Sequence, residues 1–333
     1  MSEISELHRS LLTIDTHIDI PWPEGPGFLD ITRRCVDLPK MRRGHLVAGC
    51  FAAYVPQGER TAEAQNAAFA RAVAMLDRIG SMGGEQAVTC SRVEEIEAAH
   101  RNGASIIIPC VENGHAIGTD LSRLSVFAER GARYMTLTHN GHNALADSSN
   151  PRSDLDDGPE LHGGLSELGR AAIAEMNRLG MVVDIAHVSR AAMLQAAETS
   201  RSPVVSTHSC IYALADHPRN LDDEQLDALR DVGGMVNITA VSAFLRRRAR
   251  PEEVTVKDYV DHVEYAVKRI GIEHVGISSD FDGGGGFNGW MDIAQSENMT
   301  AELVARGYDA AAIALLWGGN FLRVLRLAEK WAE

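Results

Sequence analysis

A closed parallel (β/α)8 barrel is the fold class that this sequence predicts, on three observations. Eight short apolar runs recur along the chain, helical patterns separate them, and most of the runs end in a metal-binding or titratable residue. The runs are LLTID at 11–15, VAGCFAAYV at 47–55, SIIIPCV at 105–111, RYMTLTH at 133–139, MVVDIAH at 181–187, PVVSTH at 203–208, GMVNITA at 234–240 and HVGISSD at 274–280. Between them lie stretches such as AEAQNAAFARAVAMLDRIG, LSELGRAAIAEMNRLG, LDDEQLDALRDVG and VKDYVDHVEYAVKRIG. Each spaces apolar residues three and four apart, and several end in Gly. Near-continuous apolar strands, each followed by helix, favour a closed barrel over an open doubly wound sheet. No G-x-G-x-x-G follows the first strand, which argues against a dinucleotide site. The segment from about 298 onward reads as helices packed on the barrel, so residues 1–333 form a single domain in this reading.

Composition narrows the partners. A 333-residue chain with 45% hydrophobic and 23% charged residues has enough apolar material for one large core. Lys+Arg 32 against Asp+Glu 46 leaves a net charge of −14, which disfavours nucleic acid and anionic membrane. The short basic run around Arg246, Arg247, Arg248 and Arg250 reads as a solvated surface segment. The N-terminus shows no charged-then-apolar leader pattern, no apolar run approaches the ~20 residues of a membrane span, and no apolar tail suggests a lipid anchor. Cys35, Cys50, Cys90, Cys110 and Cys210 are odd in number and widely spaced, so neither a disulfide framework nor a thiolate zinc site is indicated. A cytoplasmic protein with reduced cysteines is the expectation.

In such barrels the active site sits at the C-terminal ends of the strands. Here those ends carry His17 and Asp19, Glu112, His139, His187, His208 and Asp280. One such residue is ordinarily structural, but six strand ends of this kind are hard to satisfy with separate buried partners. His17 and Asp19 are two apart, so on an extended chain both face one side and can grip one ion. His187 and His208 end consecutive strands and can converge on a second, with Glu112 bridging the two. A donor set of His, Asp and Glu without thiolate suits zinc in an open, catalytic site. Two divalent ions outweigh Asp19, Glu112 and a bridging hydroxide in charge, so the site favours a carboxylate-bearing substrate. Such a pair also brings a shared water towards ionisation.

Other polar residues read differently. His115, His142 and His162 lie in loops, as surface or supporting residues rather than ligands. Asp184, three before His187, reads as structural. The run Gly283 to Gly286 reads as a mobile loop at the barrel mouth, and Trp22, Trp290, Trp317 and Met181 as packing or pocket wall.

The chain resembles the renal, or membrane, dipeptidase family of metallopeptidases over nearly its whole length. The resemblance rests on DTHIDIP at 15–21, VENGHAIG at 111–118, YMTLTHN at 134–140, GLSELGRAAIAEMNRLGMVVDIAHVS at 164–189, STHS at 206–209, ALADHPRNLDDEQL at 213–226, HVGISSDFDG at 274–283 and WGGNFLRVL at 317–325. It implies a zinc-dependent dipeptidase with two Zn2+ per chain, often a homodimer. His17 and Asp19 would hold one zinc, His187 and His208 the other, and Glu112 would bridge them. His139 would contact the substrate and the tetrahedral oxyanion. Arg219 would pair with the substrate carboxylate, and Asp280 would carry the proton from water to the leaving amine. Without the family, Arg219 reads as a surface Arg ahead of a helix cap. The likeness is weakest at 56–62, 141–163 and 283–297, which leaves the substrate's side chains, and a D-residue at its C-terminal position, open. The alternative is an amidohydrolase-type barrel acting on an N-acyl amino acid, cyclic amide or lactone. A catalytically silent metal-bound protein is the third reading, and no residue favours it.

Overall fold

The computed structural model describes residues 2–20 and 27–332. Among the described residues nine parallel strands form: β1 (Ile14–Asp19), β2 (Ala48–Tyr54), β3 (Ala87–Thr89), β4 (Ser105–Glu112), β5 (Tyr134–Thr136), β6 (Val182–Asp184), β7 (Val205–Ser209), β8 (Met235–Ile238) and β9 (Val275–Ile277). Eight of them follow one another around the barrel in the order β1-β2-β4-β5-β6-β7-β8-β9. The barrel closes just beyond β9, where Asp280 N–H donates to His17 O at 3.1 Å and Asp19 N–H to Phe281 O at 2.9 Å. This is the (β/α)8 architecture that the alternating pattern predicts.

The ninth strand, β3, was not anticipated. It pairs with the first half of β4, from Ala87 opposite Ser105 to Thr89 opposite Ile107, where β5 does not reach. Three strands stop short of the titratable residue that ends their apolar run. β5, β6 and β9 end at Thr136, Asp184 and Ile277, so His139, His187 and Asp280 each lie three residues beyond a strand. The chain turns there instead, with φ of 67° at His187 and 58° at Asp280. An L-residue in the left-handed region costs roughly 1–2 kcal/mol, and hydrogen bonds described below hold both turns.

Strand alternation sorts the core. Ile106, Ile108 and Cys110 of β4 join one apolar cluster, and Ile107 and Val111 the other. Glu112 continues the first parity and so faces the barrel interior. In β1 a register shift against β2 lies between Asp15 and Ile18, adding one residue. That bulge changes the phase, so Ile14 and His17 can both face inward although they are three apart.

The bottom of the barrel is sealed by the C-terminal helix Asn320–Trp331, whose Phe321, Leu322, Val324 and Leu325 pack against Ile14, Ala48, Val182, Val205 and Met235. The continuous helical run Ala310–Trp331 (22 residues) is long and apolar enough by length and composition to cross a membrane, contrary to the sequence reading, and half of its most apolar window is buried in the protein. Trp290, Trp317 and Met181 are core residues, as expected. Trp22 lies outside the described residues.

Candidate active site

Seven potential ligand residues from six strand ends meet at the top of the barrel. Glu112 divides its carboxylate between two groups. Its Oε1 lies 3.2 Å from His187 Nε2 and 3.5 Å from His208 Nε2, and its Oε2 lies 3.6 Å from His17 Nε2. His17 Nε2 is also 3.7 Å from Asp19 Oδ1, and the two imidazole Nε2 atoms of His187 and His208 are 2.9 Å apart. Two ligands on one tetrahedral zinc, each at about 2.0–2.1 Å, lie about 3.3 Å from one another. The observed spacings bracket that value. His139 and Asp280 offer further donors, in groups with Glu112 and His187 and with His17 and Asp19 respectively.

The hydrogen bonds around the imidazoles show which nitrogen is bare. Thr207 Oγ1 donates to Asp184 Oδ2 at 2.7 Å, so it can only accept from His208 Nδ1, 2.9 Å away. Tyr134 OH donates to Thr16 O at 3.0 Å and likewise accepts from His17 Nδ1. In its neutral form each ring therefore turns a bare Nε2 into the cluster. His17 Nε2 and Asp19 Oδ1 are buried without a hydrogen-bond partner. Lone pairs and carboxylate oxygens aimed at one another at these distances fit a divalent cation.

The electrostatics agree. Burial lowers the proton affinity of His187 and His208 well below the ordinary imidazole range, and the cation of Arg219 adds to this. Burial acts on His17 in the same direction, but the charges of Glu112 and Asp19 outweigh it and lift the group well above 6.5. The carboxylates thus call for positive charge at His17.

The cleft above the cluster has a volume of about 320 Å³ and is lined by Asp19, Glu112, His139, His187, Arg219, Asp280 and Gly283, among others. Arg219 is buried at 4% exposure rather than on the surface. It donates from Nη2 to His208 O at 3.1 Å and lies 5.4 Å from the Phe244 ring. Burial pulls it down to about 10, with Asp280 and Glu112 opposing, so it remains a cation at neutral pH. The His139 imidazole, between Tyr54 and His187, is lowered to about 3 by burial and by Arg219, and is neutral. Burial, then the nearby Asp19 and Glu112, hold the Asp280 carboxyl well above its usual range against His17 and Arg219.

Residues 1–333 match the family described as membrane dipeptidase, peptidase family M19. The chain belongs to this family. Its sequence is 33% identical over 302 residues to the dipeptidase tcpJ of Claviceps purpurea, covering 88% of this chain and 69% of that protein. The probable dipeptidase PvdM from Pseudomonas aeruginosa superposes with a TM-score of 0.93 at 31% identity, covering 99% of this chain and 98% of that one. A metallopeptidase from Rhodobacter sphaeroides, liganded with a phosphinate mimic of the dipeptide L-Ala-D-Ala, gives 0.84 at 27% identity, covering 96% of this chain and 99% of that one. The protein is a peptide-bond hydrolase of the dipeptidase type, and its family implies a metal cofactor.

In this dipeptidase the three loop histidines stand outside the cluster. His115 and His142 are fully buried rather than on the surface. His115 Nδ1 is 3.2 Å from Gln57 Nε2, and His142 Nδ1 accepts from Ser148 N–H at 2.9 Å. His162 Nε2 bonds Asn143 O at 2.8 Å. Ser148, which the sequence reading passed over, joins two site turns, since its hydroxyl lies within 2.6 Å of His139 O and 3.2 Å of His187 O. Gly283 to Gly286 do lie at the mouth, but they are tethered. Gly283 N–H and Gly285 N–H donate to Asp280 O, and Gly286 N–H to Ala240 O. Gly283 is also sterically required, because a Cβ there would meet Asp19 Oδ2 at 2.3 Å and Asp280 Oδ1 at 2.5 Å. Tyr134 and Thr207 carried no signal beyond a hydroxyl near a histidine, in YMTLTH and STH, and Ser148, in DSS, carried none.

Proposed function

We propose that this dipeptidase cleaves free dipeptides with two zinc ions held by His17, Asp19, Glu112, His187 and His208, and that it accepts a D-residue at the C-terminal position. The split carriage of Glu112, one oxygen towards His17 and the other towards His187 and His208, is the observation that carries the two-ion reading. When bound, the ions supply a water ionised between them and polarise the scissile carbonyl.

The chain's own groups account for the rest. Arg219 presents a planar cation to the substrate's C-terminal carboxylate, with its Nε otherwise unpartnered. That need for a free carboxylate favours a dipeptide over a cyclic amide or lactone. The neutral His139 donates an N–H to the oxygen that gains charge as the carbonyl becomes tetrahedral. Asp280 takes the proton that the attacking water gives up and passes it to the departing amine nitrogen. Two further clefts flank the central one. One, about 350 Å³, runs past Arg219 towards Tyr212 and Gln225, and the other, about 470 Å³, past Asp19 towards Arg34 and Arg71. They give the two residues of a dipeptide separate places. The Rhodobacter complex with a mimic of L-Ala-D-Ala supports the stereochemical part.

The test is a rate comparison over L,L and L,D dipeptides, N-acyl amino acids and lactones, with metal content measured on the same sample. Dipeptides turned over with close to two zinc ions per chain support the proposal. Preferred turnover of lactones, or full activity with one ion, refutes it.

A further inference from the structure

Asp184 is fully buried, yet it belongs neither to the metal cluster nor to the cleft. Both of its oxygens are occupied by donors. Oδ2 accepts from Thr136 Oγ1 at 2.5 Å and from Thr207 Oγ1 at 2.7 Å, and Oδ1 from Thr207 N–H at 3.0 Å and Ala186 N–H at 3.1 Å. With four donors converging on it, the carboxylate serves as the acceptor. The Thr207 hydroxyl has one proton, and Asp184 takes it. What remains on Thr207 Oγ1 is a lone pair facing His208 Nδ1 at 2.9 Å.

We propose that Asp184 and Thr207 form a positioning pair that locks His208 in the Nδ1–H tautomer and so keeps its Nε2 bare towards the cluster. Asp184 is the polarity-setting member and Thr207 transmits it. The same carboxylate steadies the neighbouring ligand by another route, since Ala186 immediately precedes His187, whose φ is 67°. One buried acid thus shapes both imidazoles that face Glu112 Oε1. The metal consequence rests on the reading of His187 and His208 as ligands, whereas the tautomer does not.

Asp184→Asn separates geometry from polarity. The backbone N–H groups of Ala186 and Thr207 require an oxygen at the Oδ1 position, so the new amide nitrogen falls at Oδ2 and donates. The Thr207 hydroxyl must then turn its proton towards His208 Nδ1, which forces the Nε2–H tautomer. In Thr207→Val the relay is lost without reversal, and in Thr207→Ser it is kept. The readings are the ring-nitrogen 15N shifts of His208 in the metal-free protein, and zinc affinity by chelator competition.

The wild type and Thr207→Ser should show Nδ1–H, and Asp184→Asn Nε2–H. One of two zinc ions in Asp184→Asn should then bind 10–100-fold more weakly, as expected when the group orienting a ligand is altered. An unchanged tautomer in Asp184→Asn overturns the lock whatever the metal does. A reversed tautomer with both ions at wild-type affinity upholds the lock and instead refutes His208 as a ligand. If Asp184→Asn does not fold, Thr207→Val decides. Loss of the Nδ1–H preference there, restored in Thr207→Ser, supports the pair, and wild-type shifts in Thr207→Val overturn it.

Discussion

Tyr134 accepts the Nδ1 proton of His17 at 2.9 Å from a phenol whose own proton is committed to the carbonyl of Thr16. The two rings lie nearly parallel, 24° apart. Removing the hydroxyl leaves the His17 ring without its anchor but keeps the packing. Tyr134→Phe is expected to fold and to weaken one metal ion by about 10–100-fold, measured by zinc competition with a chromophoric chelator.

Arg219→Lys keeps a charge but loses the planar fork. It is expected to raise KM for a free dipeptide by about tenfold or more, with a smaller effect on a dipeptide amide, which has no carboxylate to pair. Equal effects on the two substrates in steady-state kinetics rule out carboxylate recognition by Arg219.

Asp280→Asn is expected to reduce kcat by about 100-fold or more while both metal ions remain bound. Metal analysis beside turnover checks this. Loss of an ion together with activity would instead assign Asp280 as a ligand, which its position beside His17 and Asp19 allows.

Gly283→Ala places a methyl 2.3 Å from Asp19 Oδ2. The carboxylate must move, so the variant is expected to lose metal affinity and most of its activity. Its melting temperature should fall less than that of a core cavity variant, because the clash is confined to the mouth.

Acid should destabilise the fold through its buried imidazoles. Burial, with Arg60 adding, lowers His115 to about 4 from 6.5. Between those values the unfolded chain holds a proton that the folded chain refuses, so stability is complete above pH 6.5 and falls as pH drops towards 4. His115→Gln should show a smaller loss of melting temperature between pH 7.5 and pH 4.5 than the wild type.

The barrel and the convergence of its strand ends were legible because both follow from periodicity. Eight apolar runs are visible without any tertiary information, and their ends brought His17, Asp19, Glu112, His139, His187, His208 and Asp280 to one face. Arg219 was not legible from pattern. It sits in an ordinary-looking loop, and only the tertiary structure buries it beside Phe244 and His208 O. Asp184 was seen but placed as structural, since alternation says where a side chain points and not which protons it orders. The bulge in β1 and the extra strand β3 depend on pairings between distant segments, which local composition does not encode.

The seam of the barrel lies between β1 and the turn after β9, joined by Asp280 N–H to His17 O and Asp19 N–H to Phe281 O. His17, Asp19 and Asp280 on either side of that join are also the donors turned towards one another. A cation held by His17 and Asp19, as proposed above, would sit against Asp280 across this joint of the cylinder, so ion binding would be coupled to the barrel's closure.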